Sequence, residues 1–329
     1  MYATVNDLRL VPLLGIALLG ALPACSSAPH PGPALPGFEG LERDVRGGGE
    51  ATTPTLPSGG PGISPRSSEA ARIGRVIVDL DNSLRAWTDA MARPRDEDNT
   101  ETVQFAAYAI GAKVADHRAL LEDQAISGAP RNRGIASAAL GFSGDPSVLP
   151  LLLNNVSSDD AEVVAKSLMA LGVLSAEETA IGPMADAIDR HRDDREVVRN
   201  GAFSLFQLAA GTRRDPDGAL SSALLGLVDD AEGPVRAQAL LGLGLVRANQ
   251  ALPTISDHLA ADPDPSVRTA AAYALGQIGA QASTSSLVAG LNDPDAYTAG
   301  AARAALTRIH GRDLGPDAAS WRPVMPANR

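Results

Sequence analysis

Apolar residues recur along the C-terminal two thirds of this chain in short helical stripes, and the stripes themselves repeat. The clearest unit reads DPDPSVRTAAAYALGQIG, from Asp262 to Gly279. Aligned on its Leu275, the chain offers counterparts at Ile110, Leu140, Leu171, Phe206, Leu243 and Leu306, at spacings of 30, 31, 35, 37, 32 and 31 residues. Four positions before each anchor stands a small residue: Ala106, Ala136, Ser167, Ala202, Ala239, Ala271 and Ala302. A step of four keeps both positions on one helix face, and a small side chain there lets a second helix come close. Gly follows the anchor at Gly111, Gly141, Gly172, Gly244 and Gly276, where it is expected to open the turn that ends the helix.

Each unit continues into a second apolar stretch, such as Val148-Leu149-Pro150-Leu151-Leu152, Ala251-Leu252-Pro253-Thr254-Ile255 or Ser286-Leu287-Val288-Ala289. Helix starts are marked by Asp145-Pro146 and Asp264-Pro265: Asp accepts from free backbone donors, and Pro at the first helical position gives up a donor that has no partner there. Every repeat therefore predicts a helix A, a short turn and a helix B. One hairpin cannot bury its apolar face alone, so neighbours must stack. The predicted fold is all-α, an α-solenoid of about seven helix hairpins over residues 99–311.

Ahead of the array, Ile73, Ile77, Leu80, Leu84, Trp87 and Met91 recur at steps of 4, 3, 4, 3 and 4, a heptad seam on a helix near 67–92 within a segment 67–98. It either covers the open face of the first repeat or pairs with a second copy; about three heptads is short for a coiled coil, so capping and a monomer are expected. The stretch His310 to Val324, within a tail of residues 312–329, is expected to close the other end, with Trp321 folded back onto the last helices.

The N-terminus reads differently. Leu13 to Leu22 is an apolar run too short to span a bilayer and suited to the core of a signal peptide. Leu22-Pro23-Ala24-Cys25 follows, and Cys25 is the only cysteine of the chain. This resembles the lipobox of bacterial lipoproteins. The resemblance implies that residues 1–24 are removed, that Cys25 carries lipid, and that the membrane is met through that anchor alone, in the cell envelope at its periplasmic face. Ser26 stands where an Asp would signal retention in the inner membrane, which leans towards the outer one. Residues 26–66 hold eight Pro and nine Gly in 41 positions with no apolar period, the composition of a tether rather than a packed core.

The repeats themselves resemble the HEAT family, in the short bacterial form related to phycobilisome-lyase HEAT-like repeats. The strongest units carry P-x-V-R followed by A-x-x-x-L-G. The resemblance implies an Asp six positions ahead of the Arg, together forming a ladder of hydrogen bonds between repeats. Asp193/Arg199, Asp230/Arg236 and Asp262/Arg268 have both members, whereas Ser127/Arg133 and Asp293/Ala299 have lost one and Ser158/Val164 has lost both.

Composition narrows the function. Net charge is -11, and an acidic surface repels phosphate backbones, which argues against nucleic acid. Aromatics are 3% of the chain, few for sandwiching a tetrapyrrole. His30, His117, His191, His258 and His310 are scattered one to a region, so no zinc set is spelled out, and the acidic pairs Asp159/Asp160, Asp193/Asp194 and Asp229/Asp230 recur at one inter-repeat turn, where caps are expected. No nucleophile elbow, Walker loop or dinucleotide fingerprint occurs. The expectation is a binding protein without a catalytic site, metal or cofactor. By analogy with such solenoids, its B helices line a concave face for a protein or peptide partner, and Leu153, Asn154, Asp186, Leu225, Asp257 and His258 are the outward-facing candidates. A lyase-like enzyme handling a tetrapyrrole and an architectural envelope lipoprotein are the rival classes.

Overall fold

The structure, a computed structural model, describes residues 65–93 and 97–325. Cys25, the lipobox and the tether as far as residue 64 lie outside the described residues. Among the described residues thirteen α-helices follow one another: α1 Pro65–Met91, α2 Glu97–Ser127, α3 Pro130–Leu140, α4 Leu149–Val156, α5 Ala161–Leu174, α6 Ile181–Arg190, α7 Arg195–Thr212, α8 Ala219–Leu225, α9 Gly233–Leu245, α10 Leu252–Ala261, α11 Pro265–Ile278, α12 Thr284–Gly290 and α13 Ala296–His310. No strand occurs among the described residues, and no helix among them is long and apolar enough to cross a membrane.

The helices form two layers. The first half of α2 with α3, α5, α7, α9, α11 and α13 stand side by side as A helices; α4, α6, α8, α10 and α12 are the B helices packed on them. In the first hairpin α2 bends at His117 (φ -124°, ψ 17°), which marks the turn from A to B. Among the described residues no α-helix follows α13 as its B helix. A 3-10 segment at Ala318–Val324 closes it, and there Trp321 is fully buried with its indole N–H donating to the Gly315 carbonyl at 2.9 Å. This architecture is an α-solenoid with a helix covering its N-terminal end. On α1 the seam residues Ile77, Leu80, Leu84 and Trp87 are buried, and the helix lies against α2 and α3. Trp87 reaches further: its ring meets Phe142 edge-on at 5.1 Å and Phe203 of α7 at 6.4 Å, so the cover extends beyond the first hairpin.

Local chemistry starts the A helices where the sequence places them. Asp160, Asp194, Asp264 and Asp295 each accept hydrogen bonds from first-turn amides of α5, α7, α11 and α13, and Asp145 caps the 3-10 turn that leads into α4. Anchors Ile110, Leu140, Leu171, Leu243, Leu275 and Leu306 are fully buried.

The glycines beside the anchors do something other than end helices. Gly172, Gly244 and Gly276 lie inside their helices, and Gly141 keeps right-handed helical angles at the end of α3. They are sites of close approach between neighbouring A helices. A Cβ on Gly141 would sit 2.6 Å from the Ala170 Cα, on Gly244 2.6 Å from the Ala274 Cα, and on Gly276 2.8 Å from the Ala305 Cβ. The left-handed residues that end helices come later, as at Gly279 and Gly311 with φ of 75° and 70°.

That same contact corrects the register of α7. Ala170, Ala274 and Ala305 each precede an anchor, and the residue that meets Gly172 in the same manner is Ser204, at 2.8 Å. The anchor of α7 is therefore the fully buried Leu205 and not Phe206.

The ladder changes with it. Arg236 and Arg268 each reach forward to the acid of the following repeat. Arg236 donates to Asp262 at 2.9 and 2.7 Å, and Arg268 to Asp293 at 2.8 and 2.9 Å. Their remaining nitrogen donates backwards, to the backbone carbonyls of Asp230 and Asp262 at 2.9 Å. An Asp and the Arg six positions on thus share a main-chain bond, while the carboxylate serves the repeat before. Asp293 is a complete rung acceptor although Ala299 stands at its own Arg position.

Arg199 makes no such rung. Counting back from Leu205 as Arg236 is counted from Leu243, the rung position is Val198, which is buried. Arg199 turns to Glu232 at 2.6 and 2.8 Å, while Arg195 takes Asp230 at 2.5 and 3.2 Å and Glu232 at 2.9 Å. Asp193 is exposed and makes no ladder bond among the described residues.

Candidate functional site

The six outward-facing candidates fall on four B helices and do not converge. Leu153 and Asn154 lie on α4, Asp186 on α6, Leu225 at the end of α8, and Asp257 and His258 on α10. Asn154, Asp186 and Asp257 are exposed, whereas Leu153 and Leu225 are half-buried against the core. His258 is not an open contact. Its side chain is only 12% exposed, with Nδ1 3.0 Å from Asp262 and Nε2 3.5 Å from Asp229 of the preceding repeat. It belongs to the repeat junction.

Other polar groups are bound up in the same way. His191 Nε2 lies 3.3 Å from the Ser158 carbonyl and His310 Nε2 3.0 Å from the Thr284 hydroxyl, each joining one turn to another. At the rungs, burial works against the charge on Asp262 and Asp230. Hydrogen bonds from Arg236 and from Arg195 outweigh it and hold both carboxyls below their ordinary value. The Arg268 hydrogen bonds do the same for Asp293, and those of Arg199 for Glu232. These four perturbed acids therefore lie at contacts between repeats. Among the described residues no three His, Cys, Asp or Glu side chains gather as a metal site.

Where the array is least regular it opens. α7 runs 18 residues against 14 in α5 and α11, so it overshoots its neighbours. The chain returns through a loop with left-handed Arg213 (φ 51°) and Gly218 (φ 75°) into α8, which is only seven residues long. Asp215 fixes that return: its carboxylate accepts from the Leu220 and Ser221 amides at 3.1 and 2.8 Å and from the Ser221 hydroxyl.

Two adjoining hollows result. One of about 720 Å³ lies between the loop after α5 and the loop after α7. The other, about 280 Å³, runs between α6 and α8, and Ile181, Gly182 and Ala219 border both. The floor is apolar, from Ile188, Leu208, Leu220 and Leu227, and Gly182, Ala185 and Ala223 keep it open with small side chains. Five acids and two arginines edge the groove: Glu177, Asp186, Asp189, Asp215 and Asp217 against Arg192 and Arg214. Arg192 is committed, to Asp189 at 2.6 Å and to the Gly226 carbonyl at 3.3 Å.

Of the six candidates only Asp186 borders this groove. Its trace in the sequence is the pair of long spacings around Phe206, which mark a repeat that cannot stack like the others.

Comparison with known proteins agrees with the repeat. Residues 220–307 match the family model described as HEAT repeats. Among solved structures the chain is similar to a designed armadillo repeat protein, at 18% identity over 58% of this chain and 98% of that one, with a TM-score of 0.47. It is also similar to human deoxyhypusine hydroxylase, at 22% identity over 74% and 97% with a TM-score of 0.36. A third is the complex of CpcE and CpcF of phycocyanin lyase from Nostoc, at 16% identity over 84% and 98% with a TM-score of 0.36. No curated protein matches the chain.

Proposed function

We propose that this protein is a scaffold or adaptor of the bacterial cell envelope, anchored by lipid on Cys25 and binding a protein partner through the B-helix side of its solenoid, without a catalytic site of its own. The anchoring half rests on Leu22-Pro23-Ala24-Cys25 behind an apolar run, on the single cysteine, and on a Pro- and Gly-rich tether that would hold the array away from the lipid. Attachment is through that anchor only, at the periplasmic face, with the outer membrane favoured by Ser26.

The binding half rests on one observation. Arg236, Arg268 and His258 are engaged between repeats, whereas the B layer leaves exposed carboxylates and an apolar groove unengaged. A stacked array also offers an extended surface that a partner can follow across several repeats.

Cross-linking in intact cells followed by purification of the full chain tests the reading. One dominant protein partner supports it, and a Cys25→Ala variant should leave the membrane fraction and lose that partner. Retention of the Cys25→Ala protein on membranes at wild-type level would remove the anchor, and turnover of a small molecule by the purified chain would remove the scaffold.

A further inference from the structure

We propose that the groove between α6 and α8 takes an extended cationic segment of the partner, which lays small aliphatic side chains on the apolar floor and places Lys or Arg side chains against Glu177 and Asp186. This rests on the scaffold reading above and gives the partner its chemistry.

Charge selects the occupant. Of the five bordering acids, three are already used: Asp215 and Asp217 accept from backbone amides at the start of α8, and Asp189 holds Arg192. Glu177 and Asp186 are exposed and make no hydrogen bond or ion pair among the described residues. They stand on either side of the shared border at Ile181 and Gly182, one at each hollow. Two uncommitted carboxylates beside an apolar floor attract a segment that carries cations between aliphatic residues. An anionic segment would meet a rim whose acids outnumber its bases five to two.

Shape selects it too. Gly182, Ala185, Ala219 and Ala223 present almost no side chain, so a peptide backbone can settle between the helices. The groove is also held open in advance. Arg192 ties the end of α6 to the end of α8 through Asp189 and the Gly226 carbonyl, and Asp215 fixes the start of α8. A preformed site spares the partner the ordering of the receptor on binding.

The test uses the full chain in detergent and two fluorescent nine-residue peptides, one alternating Lys with Val and Ala, the other with Glu in place of every Lys. The Lys peptide should bind at least about tenfold tighter. Glu177→Lys with Asp186→Lys should weaken it about tenfold or more, and Arg214→Glu should tighten it severalfold. Ala223→Trp, which fills the floor and leaves the charge alone, should weaken it as strongly as the double reversal. Asp257→Lys, on α10 and outside the groove, should change it less than about twofold.

Equal binding of the two peptides, equal loss in Asp257→Lys and in the double variant, or no effect of Ala223→Trp would each overturn the groove as the site. The cellular cross-linking experiment separates that failure from failure of the scaffold: a partner captured on another surface retires only the groove, and no partner at all retires both.

Discussion

Arg236 and Asp262 form a two-bonded ion pair, at 2.9 and 2.7 Å, between successive repeats, with side chains 11% and 2% exposed. The carboxylate also accepts from the Asp264 amide at 2.9 Å and lies 3.0 Å from His258. One acid thus joins the preceding repeat, its own turn and the helix before it.

Replacing it should be costly. Asp262→Ala leaves the Arg236 guanidinium buried without its counter-ion and should lower the unfolding free energy by about 3–5 kcal/mol. Asp313→Ala breaks an exposed, solvent-screened pair with Arg303 and should leave the urea midpoint close to that of the wild type. Urea titration of both variants checks the contrast; similar midpoints for the two would show that the rung adds nothing to the stacking.

A missing rung can be completed. Ser158 occupies the place of Asp262 three repeats earlier in the array: its hydroxyl accepts from the Asp160 amide at 3.2 Å, as the Asp262 carboxylate does from Asp264. Across the junction Arg133 donates to Asn155 at 3.1 Å, and its buried Nε has no partner. Ser158→Asp should give Arg133 a carboxylate and raise stability by about 1–2 kcal/mol. Combining it with Arg133→Ala should abolish the gain.

Glycine to alanine should act with opposite sign at two helical positions. Ala is better than Gly inside a helix by about 1 kcal/mol. Gly300 in α13 is exposed with nothing near its missing Cβ, so Gly300→Ala should stabilise by up to that amount. At Gly244 the new Cβ would lie 2.6 Å from the Ala274 Cα, a backbone atom that cannot swing aside. Overpacking of about 1–3 kcal/mol then offsets or exceeds the helix gain, and Gly244→Ala should destabilise. Thermal melts of the pair decide it.

Acid should weaken the array through its rungs. Asp230, Asp262, Asp293 and Glu232 all have carboxyls held below their ordinary values of 3.8 and 4.5. A carboxyl depressed in the folded state contributes stability that is fully present above its unfolded value and is lost as pH falls through the folded one. Urea midpoints should therefore hold from about pH 7 to about pH 5 as far as these acids are concerned, and fall below about pH 4. In Asp262→Asn the fall should be shallower.

The groove shows how far the sequence reaches towards a site. Asp186 was legible as an outward position on a B helix, because helical periodicity turns it away from the core. That it faces α8 across a gap was not, because the gap follows from α7 overshooting and from a loop that returns a seven-residue helix. His258 was misleading for the same reason: periodicity places it outward, and a neighbouring repeat covers it.

What the sequence determined by itself is what a single turn of chain can enforce. A period near thirty residues, two apolar stripes per period, and Asp or Asp-Pro at helix starts specify stacked hairpins, because each stripe must be buried and each cap is satisfied within three residues. Only the tertiary structure decided which partner each arginine reaches, that Leu205 and not Phe206 fills the core position of α7, and that Gly141, Gly244 and Gly276 serve close packing. Those outcomes depend on the relative placement of helices some thirty residues apart. That placement is set by the summed volumes of side chains on both sides of the junction, and no local pattern encodes it.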